Sequence, residues 1–173
     1  MSGLTKYLSG VKQLLRANRM TPVAPASLTG KTIFFYFTAS WCPHCSETAQ
    51  YVLPYYQRHH REKDFELIVV SWDDSVADFY EYMHVDLLPR PVVGGTADKV
   101  QVLPGANGGQ GEAGLLYVDI KAQSDTIAAL IKTFRISGIP SMIGVDADTG
   151  KRVTVNALTM MKIDPEAERY PWW

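Results

Sequence analysis

The sequence predicts an α/β fold in which a central mixed sheet is flanked by helices and interrupted by one long insertion loop. Three observations predict it. Two strand-length runs, Thr32–Thr38 and Phe65–Ser71, are rich in β-branched and aromatic residues and largely apolar on both faces. Residues 42–61 between them carry a helical pattern, so strand, helix and strand form a βαβ unit with parallel strands. Near the C-terminus Asp148-Thr149-Gly150 separates 141–145 from 152–155, which is the signal of an antiparallel hairpin.

Each element follows from its local pattern. Leu4, Tyr7, Leu8, Val11, Leu14 and Leu15 recur at helical spacing with Lys6, Lys12 and Arg16 on other faces, so residues 3–17 read as an amphipathic helix. Pro22 and Pro25 break the chain, and Gly30-Lys31 leads into the first buried strand. The helix that follows contains Pro54, which is expected to kink it. Beyond the second strand, Asp74 is placed to cap a short helix from Ser75 to about Met83. Residues 85–114 are rich in Gly and Pro with little periodicity, so they read as a long loop with one short strand at 100–103. A second capped helix is expected from about Asp125 to Phe134, with Ile127, Leu130, Ile131 and Phe134 on one face, and the hairpin ends the fold.

Composition narrows the class. With 173 residues, 46% of them apolar and 20% charged, the chain suits a single domain, 1–173, with one core. A formal net charge of −1 without a dense Lys/Arg run argues against nucleic acid as a partner. The longest wholly apolar runs, such as 33–37, fall far short of the roughly 20 residues needed to cross a bilayer, so no membrane association is expected. The first residues lack a basic head followed by an apolar stretch, and a cytoplasmic location is the expectation.

The chemistry-bearing run is Trp41-Cys42-Pro43-His44-Cys45, which holds both cysteines of the chain. Two cysteines so close together staple a fold poorly but suit an exchangeable disulfide. A thiol attacks a disulfide only as the thiolate, and free Cys titrates near about 8.5. Cys42 falls at a helix N-terminus, where unsatisfied N–H groups and the dipole stabilise an anion. Cys45, one turn on, points inward and suits the resolving role. Pro43 occupies the first helical turn, where a missing N–H costs nothing. His44 brings an imidazole near the Cys42 sulfur, which would favour the thiolate and make the disulfide a better oxidant.

Other readings of the cysteines are weaker. Structural zinc needs two more ligands, and neighbouring His59 and His60 point about 100° apart on a helix. Haem attachment would need a histidine where Ser46 stands. Inert buried thiols are the remaining alternative. His59, His60 and His84 have no partner set at catalytic spacing and read as solvated helix residues. Trp72 reads as core, and Asp73 as a buried-edge acid near Cys45.

A βαβ unit followed by a helix and a hairpin, with cysteines at the strand-to-helix junction, is the thioredoxin arrangement. In it Pro140, just before the strand at Ser141, is the cis-proline facing the disulfide, with a plain turn proline as the alternative. More closely, the sequence resembles the tryparedoxins of trypanosomatids. The resemblance rests on the opening residues Met1 to Leu8, on Gly30 to Cys45, on Phe65 to Asp74, on Ser137-Gly138-Ile139-Pro140, on Asp146 to Gly150, and on Asp164-Pro165 to Trp172. It implies Cys42 as nucleophile, Cys45 as resolving thiol, Trp41 as the ring shielding the site, and Ile139 and Pro140 beside the substrate. Tyr36 takes the place where thioredoxins have a buried acid. It further implies a cofactor-free, metal-free thiol–disulfide oxidoreductase that passes electrons from a small dithiol donor, trypanothione, to peroxiredoxin-type and glutathione-peroxidase-type peroxidases.

Three features depart from the family. His44 replaces a proline and gives a centre similar to that of a bacterial disulfide oxidase. The stretch 86–114 is an insertion. Basic residues shortly before Asp164-Pro165 are replaced by Leu158, Thr159 and Met160. A thiol oxidase or isomerase acting on proteins, or a thioredoxin-like binding module, is the alternative function.

Overall fold

The two apolar runs form neighbouring parallel strands at the centre of the sheet. The structure, a computed structural model, describes residues 3–17, 21–87, 92–93, 100–101 and 114–173. In chain order the elements are β1 (Leu14–Arg16), β2 (Thr21–Val23), β3 (Thr32–Thr38), α1 (Pro43–His59), β4 (Phe65–Ser71), α2 (Val76–Glu81), β5 (Val92–Val93), β6 (Val100–Gln101), β7 (Leu116–Tyr117), α3 (Ser124–Thr133), β8 (Ser141–Asp146), β9 (Arg152–Thr154) and α4 (Ala157–Ile163). One mixed sheet runs β2-β1-β7-β4-β3-β8-β9, and β5 and β6 form a separate antiparallel pair. β3 and β4 pair in parallel from Thr32 opposite Phe65 to Thr38 opposite Ser71. On its other edge β3 pairs antiparallel with β8.

Successive side chains of a strand point to opposite faces, and here both faces are covered. Phe34, Tyr36, Leu67 and Val69 face Val52, Tyr55 and Tyr56 of α1 and Met161 of α4. Ile33, Phe35, Phe37, Ile68 and Val70 face Ile127 and Leu130 of α3 together with Leu4 and Leu8. Each such side chain contributes about 1.5–3 kcal/mol of transfer free energy. This burial explains why the two strands read as continuous apolar runs.

At the start of the sheet a buried polar cluster joins separate parts of the chain. Arg16 of β1 pairs with Glu66 of β4 at 3.3 Å and donates to the Gly114 carbonyl at 2.9 Å. The Tyr56 hydroxyl of α1 donates to Glu66 at 2.5 Å and accepts from Arg16 at 3.2 Å.

The structure corrects several expectations. Residues 3–17 are a 3-10 turn at Gly3–Lys6 and the strand β1, not one amphipathic helix. Gly10 takes φ +82 between them, and β1 gains backbone partners in β2 and β7. The apolar spacing still does its work, since Leu4, Tyr7, Leu8, Val11 and Leu14 all bury against the sheet. The first helix spans Pro54 as the pattern over 42–61 predicts, and ends at His59. Ser75, not Asp74, caps α2, accepting from the Asp78 N–H at 3.2 Å, and a π-turn at Tyr82–Asp86 extends that helix. α3 has no side-chain cap at its N-terminus. The fold ends on α4 rather than on the hairpin, and its few turns bury only Ala157 and Met161, too short a pattern to read as a helix. His59 and His60 are buried rather than solvated: His59 bonds the Pro165 carbonyl at 2.8 Å, and His60 stacks on Tyr56 at 4.1 Å. The strand expected at 100–103 is present at Val100–Gln101. Most of the insertion expected over 86–114 lies outside the described residues.

At the far end of α3, Phe134 is followed by Arg135 at φ +53. The Arg135 N–H bonds the Lys132 carbonyl at 3.1 Å and the Ile136 N–H the Ile131 carbonyl at 2.9 Å, the double closure that usually carries glycine.

Candidate active site

Where β3 ends, Ala39-Ser40-Trp41 turns the chain into α1, and Cys42 is the residue at which the helix begins. Its backbone is extended, φ −95 and ψ 113, as a helix-capping residue requires. The cap is the sulfur itself: Cys42 Sγ accepts the Cys45 N–H at 3.2 Å. Pro43 fills the first helical position, where no partner would await its N–H. The local sequence therefore folds so that one sulfur faces the positive end of the helix dipole.

Both thiols are covered, Cys42 to 5% exposure and Cys45 to 0%, with Trp72 and Ile139 packed against them. Cys42 is thus less open than its place at a helix end predicts. Burial, together with its bond to Cys42, pushes the Cys45 thiol up to about 11. Trp41 remains 59% exposed at the rim, and its ring N–H reaches the Trp72 carbonyl at 3.4 Å. The Ile139–Pro140 bond is cis, and β8 starts immediately after it. His44 stands outside this group. Its side chain is 81% exposed, and Nδ1 lies 3.7 Å from a Glu47 carboxylate oxygen along the helix surface.

Trp41, Cys42, Pro43, Cys45 and Ile139 thus come together with Pro140 adjoining, while His44 points along the solvent side. One contributor was read only in outline. Asp73, buried at the end of β4, accepts the Ser40 N–H at 3.1 Å, the Ser40 hydroxyl, and the Ser71 hydroxyl at 2.6 Å. It fixes the turn that carries Trp41 and Cys42. Its donors come from two different strands' ends, a grouping that only the Ser-Trp-Asp spacing hinted at. Thr38 and Tyr82 share a 2.6 Å hydrogen bond between their hydroxyl groups beneath the site, and burial raises the phenols of Tyr36 and Tyr82 so that both stay neutral.

A covered dithiol with one sulfur capping a helix is built for thiol–disulfide exchange. Comparison with known proteins agrees with that chemistry. A family model described as thioredoxin-like matches residues 30–89. The chain is 34% identical to the tryparedoxin of Trypanosoma brucei brucei over 99% of both chains. Among solved structures it is similar to native tryparedoxin I from Crithidia fasciculata, with TM-score 0.78, 35% identity, and coverage of 99% of this chain and 98% of that one. It is equally similar to a tryparedoxin II complexed with glutathionylspermidine, with TM-score 0.78, 31% identity and 99% of both chains covered. The chain belongs to the tryparedoxin family and is a thiol–disulfide oxidoreductase.

Proposed function

We propose that this single-domain chain, 1–173, carries electrons in the cytoplasm from a small dithiol of the trypanothione type to disulfides of protein acceptors such as peroxiredoxin-type peroxidases. The observation that carries the reading is the Cys42 sulfur capping α1, with buried Cys45 donating its N–H to it at 3.2 Å. A related tryparedoxin II complexed with glutathionylspermidine supports a glutathione-derived thiol as the reductant. In the first half-reaction the donor's two thiols reduce the Cys42–Cys45 disulfide and become a disulfide themselves. In the second, the Cys42 thiolate attacks the acceptor disulfide, one acceptor sulfur leaves as a thiolate, and a mixed disulfide forms. Cys45 then gives up its proton and attacks Cys42 Sγ, the second acceptor sulfur leaves, and two electrons and two protons have passed to the acceptor.

In this reading Trp41 covers the mixed disulfide, Pro43 stiffens the turn, and Ile139 and Pro140 present backbone to the substrate. His44 tunes the couple from the solvent side. Among the described residues no helix is long and apolar enough to cross a membrane. The test is a trapping experiment with an oxidised peroxiredoxin-type acceptor. Cys45→Ser should accumulate a mixed disulfide at Cys42, and Cys42→Ser should form none. An adduct on Cys45 of the Cys42→Ser variant would reverse the roles, and failure of trypanothione to reduce the parent would exclude it as donor.

A further inference from the structure

A basic groove leads away from the redox centre. It borders Pro140 and Ser141, encloses about 400 Å³, and carries Arg135 and Arg152 beside apolar Val155 and Leu158. A second hollow of about 260 Å³ shares Phe134 and Arg152 with it and adds Lys6 and Lys151. Neither hollow is lined by a carboxylate, although the chain as a whole has a formal net charge of −1. Among the described residues no acidic side chain forms an ion pair with Arg135 or Arg152. Arg135 moreover holds a backbone conformation, φ +53, that suits glycine, so its side chain is kept there against the local preference.

From these observations we infer that the groove docks an acidic, extended segment of the protein whose disulfide is reduced, its carboxylates meeting Arg135 and Arg152. The inference rests on the oxidoreductase reading and deepens it by naming the acceptor's chemistry. Continuity favours this occupant: Pro140 lines the groove, and its neighbour Ile139 packs on Cys42 and Cys45, so a chain lying in the groove borders the residues that cover the sulfurs. Two adjoining hollows that share Phe134 and Arg152, each lined by basic residues, suit a polypeptide segment better than a compact ligand. Exposed Val155 and half-buried Leu158 offer apolar contact in the same groove.

The test uses two synthetic peptides, each a disulfide-linked dimer with the same cysteine-containing core, one flanked by glutamates and the other by lysines. Reduction takes two electrons and the two thiol protons of the chain, releases two peptide thiols and leaves the Cys42–Cys45 disulfide. At low ionic strength the second-order rate constant for oxidation of the pre-reduced chain should favour the acidic peptide by about tenfold, as steering by a charged cleft does. The preference should collapse toward unity at about 0.5 M salt, where the screening length is only a few ångströms. Arg135→Gln combined with Arg152→Gln should bring the low-salt ratio below about twofold, and because both peptides meet the same variant, differences in folding cancel. Equal rates for the two peptides with the parent, or an undiminished ratio in the double variant, would overturn the docking assignment. A parent that reduced neither peptide would overturn the redox reading itself, a result distinct from unselective turnover.

Discussion

Cys42 and Cys45 are close in sequence and differ in their surroundings, and that difference is measurable. Cys42 takes an N–H bond to its sulfur at the start of α1, whereas burial and the bond to Cys42 push Cys45 up to about 11. Alkylation of the reduced chain at about pH 7 should therefore label Cys42 well before Cys45, and equal labelling would remove the distinction. The same shift sets an alkaline limit. An acid whose folded value is raised contributes its full stability below the unfolded value of about 9 and loses it as pH climbs toward 11. Thermal unfolding across that window should fall more steeply in the parent than in Cys45→Ala. His44 is a weaker lever than its position suggests, since its ring is exposed and lies by Glu47. His44→Pro should lower the reduction potential by about 30 mV or less, and identical potentials would assign the histidine no part. At this scale the cysteines and Pro43 were readable because their spacing places them at a helix start, and the cis bond at Pro140 because the thioredoxin arrangement implies it. Asp73's grip on Ser40 was not, because the partners meet only when β3 and β4 end side by side.

Elements were readable where one period dominated. β3, β4 and the β8–β9 hairpin bury both faces or bracket a turn residue, so their apolar runs have one interpretation. The N-terminal stretch misled because its apolar spacing fits a helix as well as a turn and strand laid against the sheet, and pairing with β2 and β7 decided between them. The end of α3 shows a different conflict, between backbone and side chain. Arg135 sits at φ +53, where a β-carbon crowds the chain. Arg135→Gly should stabilise the fold by up to about 1 kcal/mol, raising Tm by about 2–4 °C, while weakening selection for acidic acceptors. A loss of stability in that variant would show that the arginine is held by its packing rather than against its backbone.

Across the whole molecule, the redox centre and the Arg16–Glu66–Tyr56 cluster occupy opposite ends of the β3–β4 pair. Glu66 lies opposite Ile33 at the start of β3, and Cys42 follows its end. Removing one member of a buried ion pair strands the other, so Arg16→Ala should cost about 3–5 kcal/mol. A midpoint in urea unchanged by this substitution would deny the cluster a structural role. No pattern in the sequence announced the cluster, since its members come from β1, α1, β4 and Gly114, two residues before β7, and only the folded topology assembles them. The clamp has a consequence for the inserted stretch. Arg16 holds the Gly114 carbonyl, and the Leu87 N–H closes on the Tyr82 carbonyl at 2.8 Å, so the residues flanking that stretch are two fixed ports. Between ports so fixed, chain length is a weak constraint on stability: doubling a flexible loop costs only about 0.6 kcal/mol of closure entropy. A reporter or a foreign recognition sequence could be spliced there, with the Gly114 port at the far end of the sheet from the sulfurs.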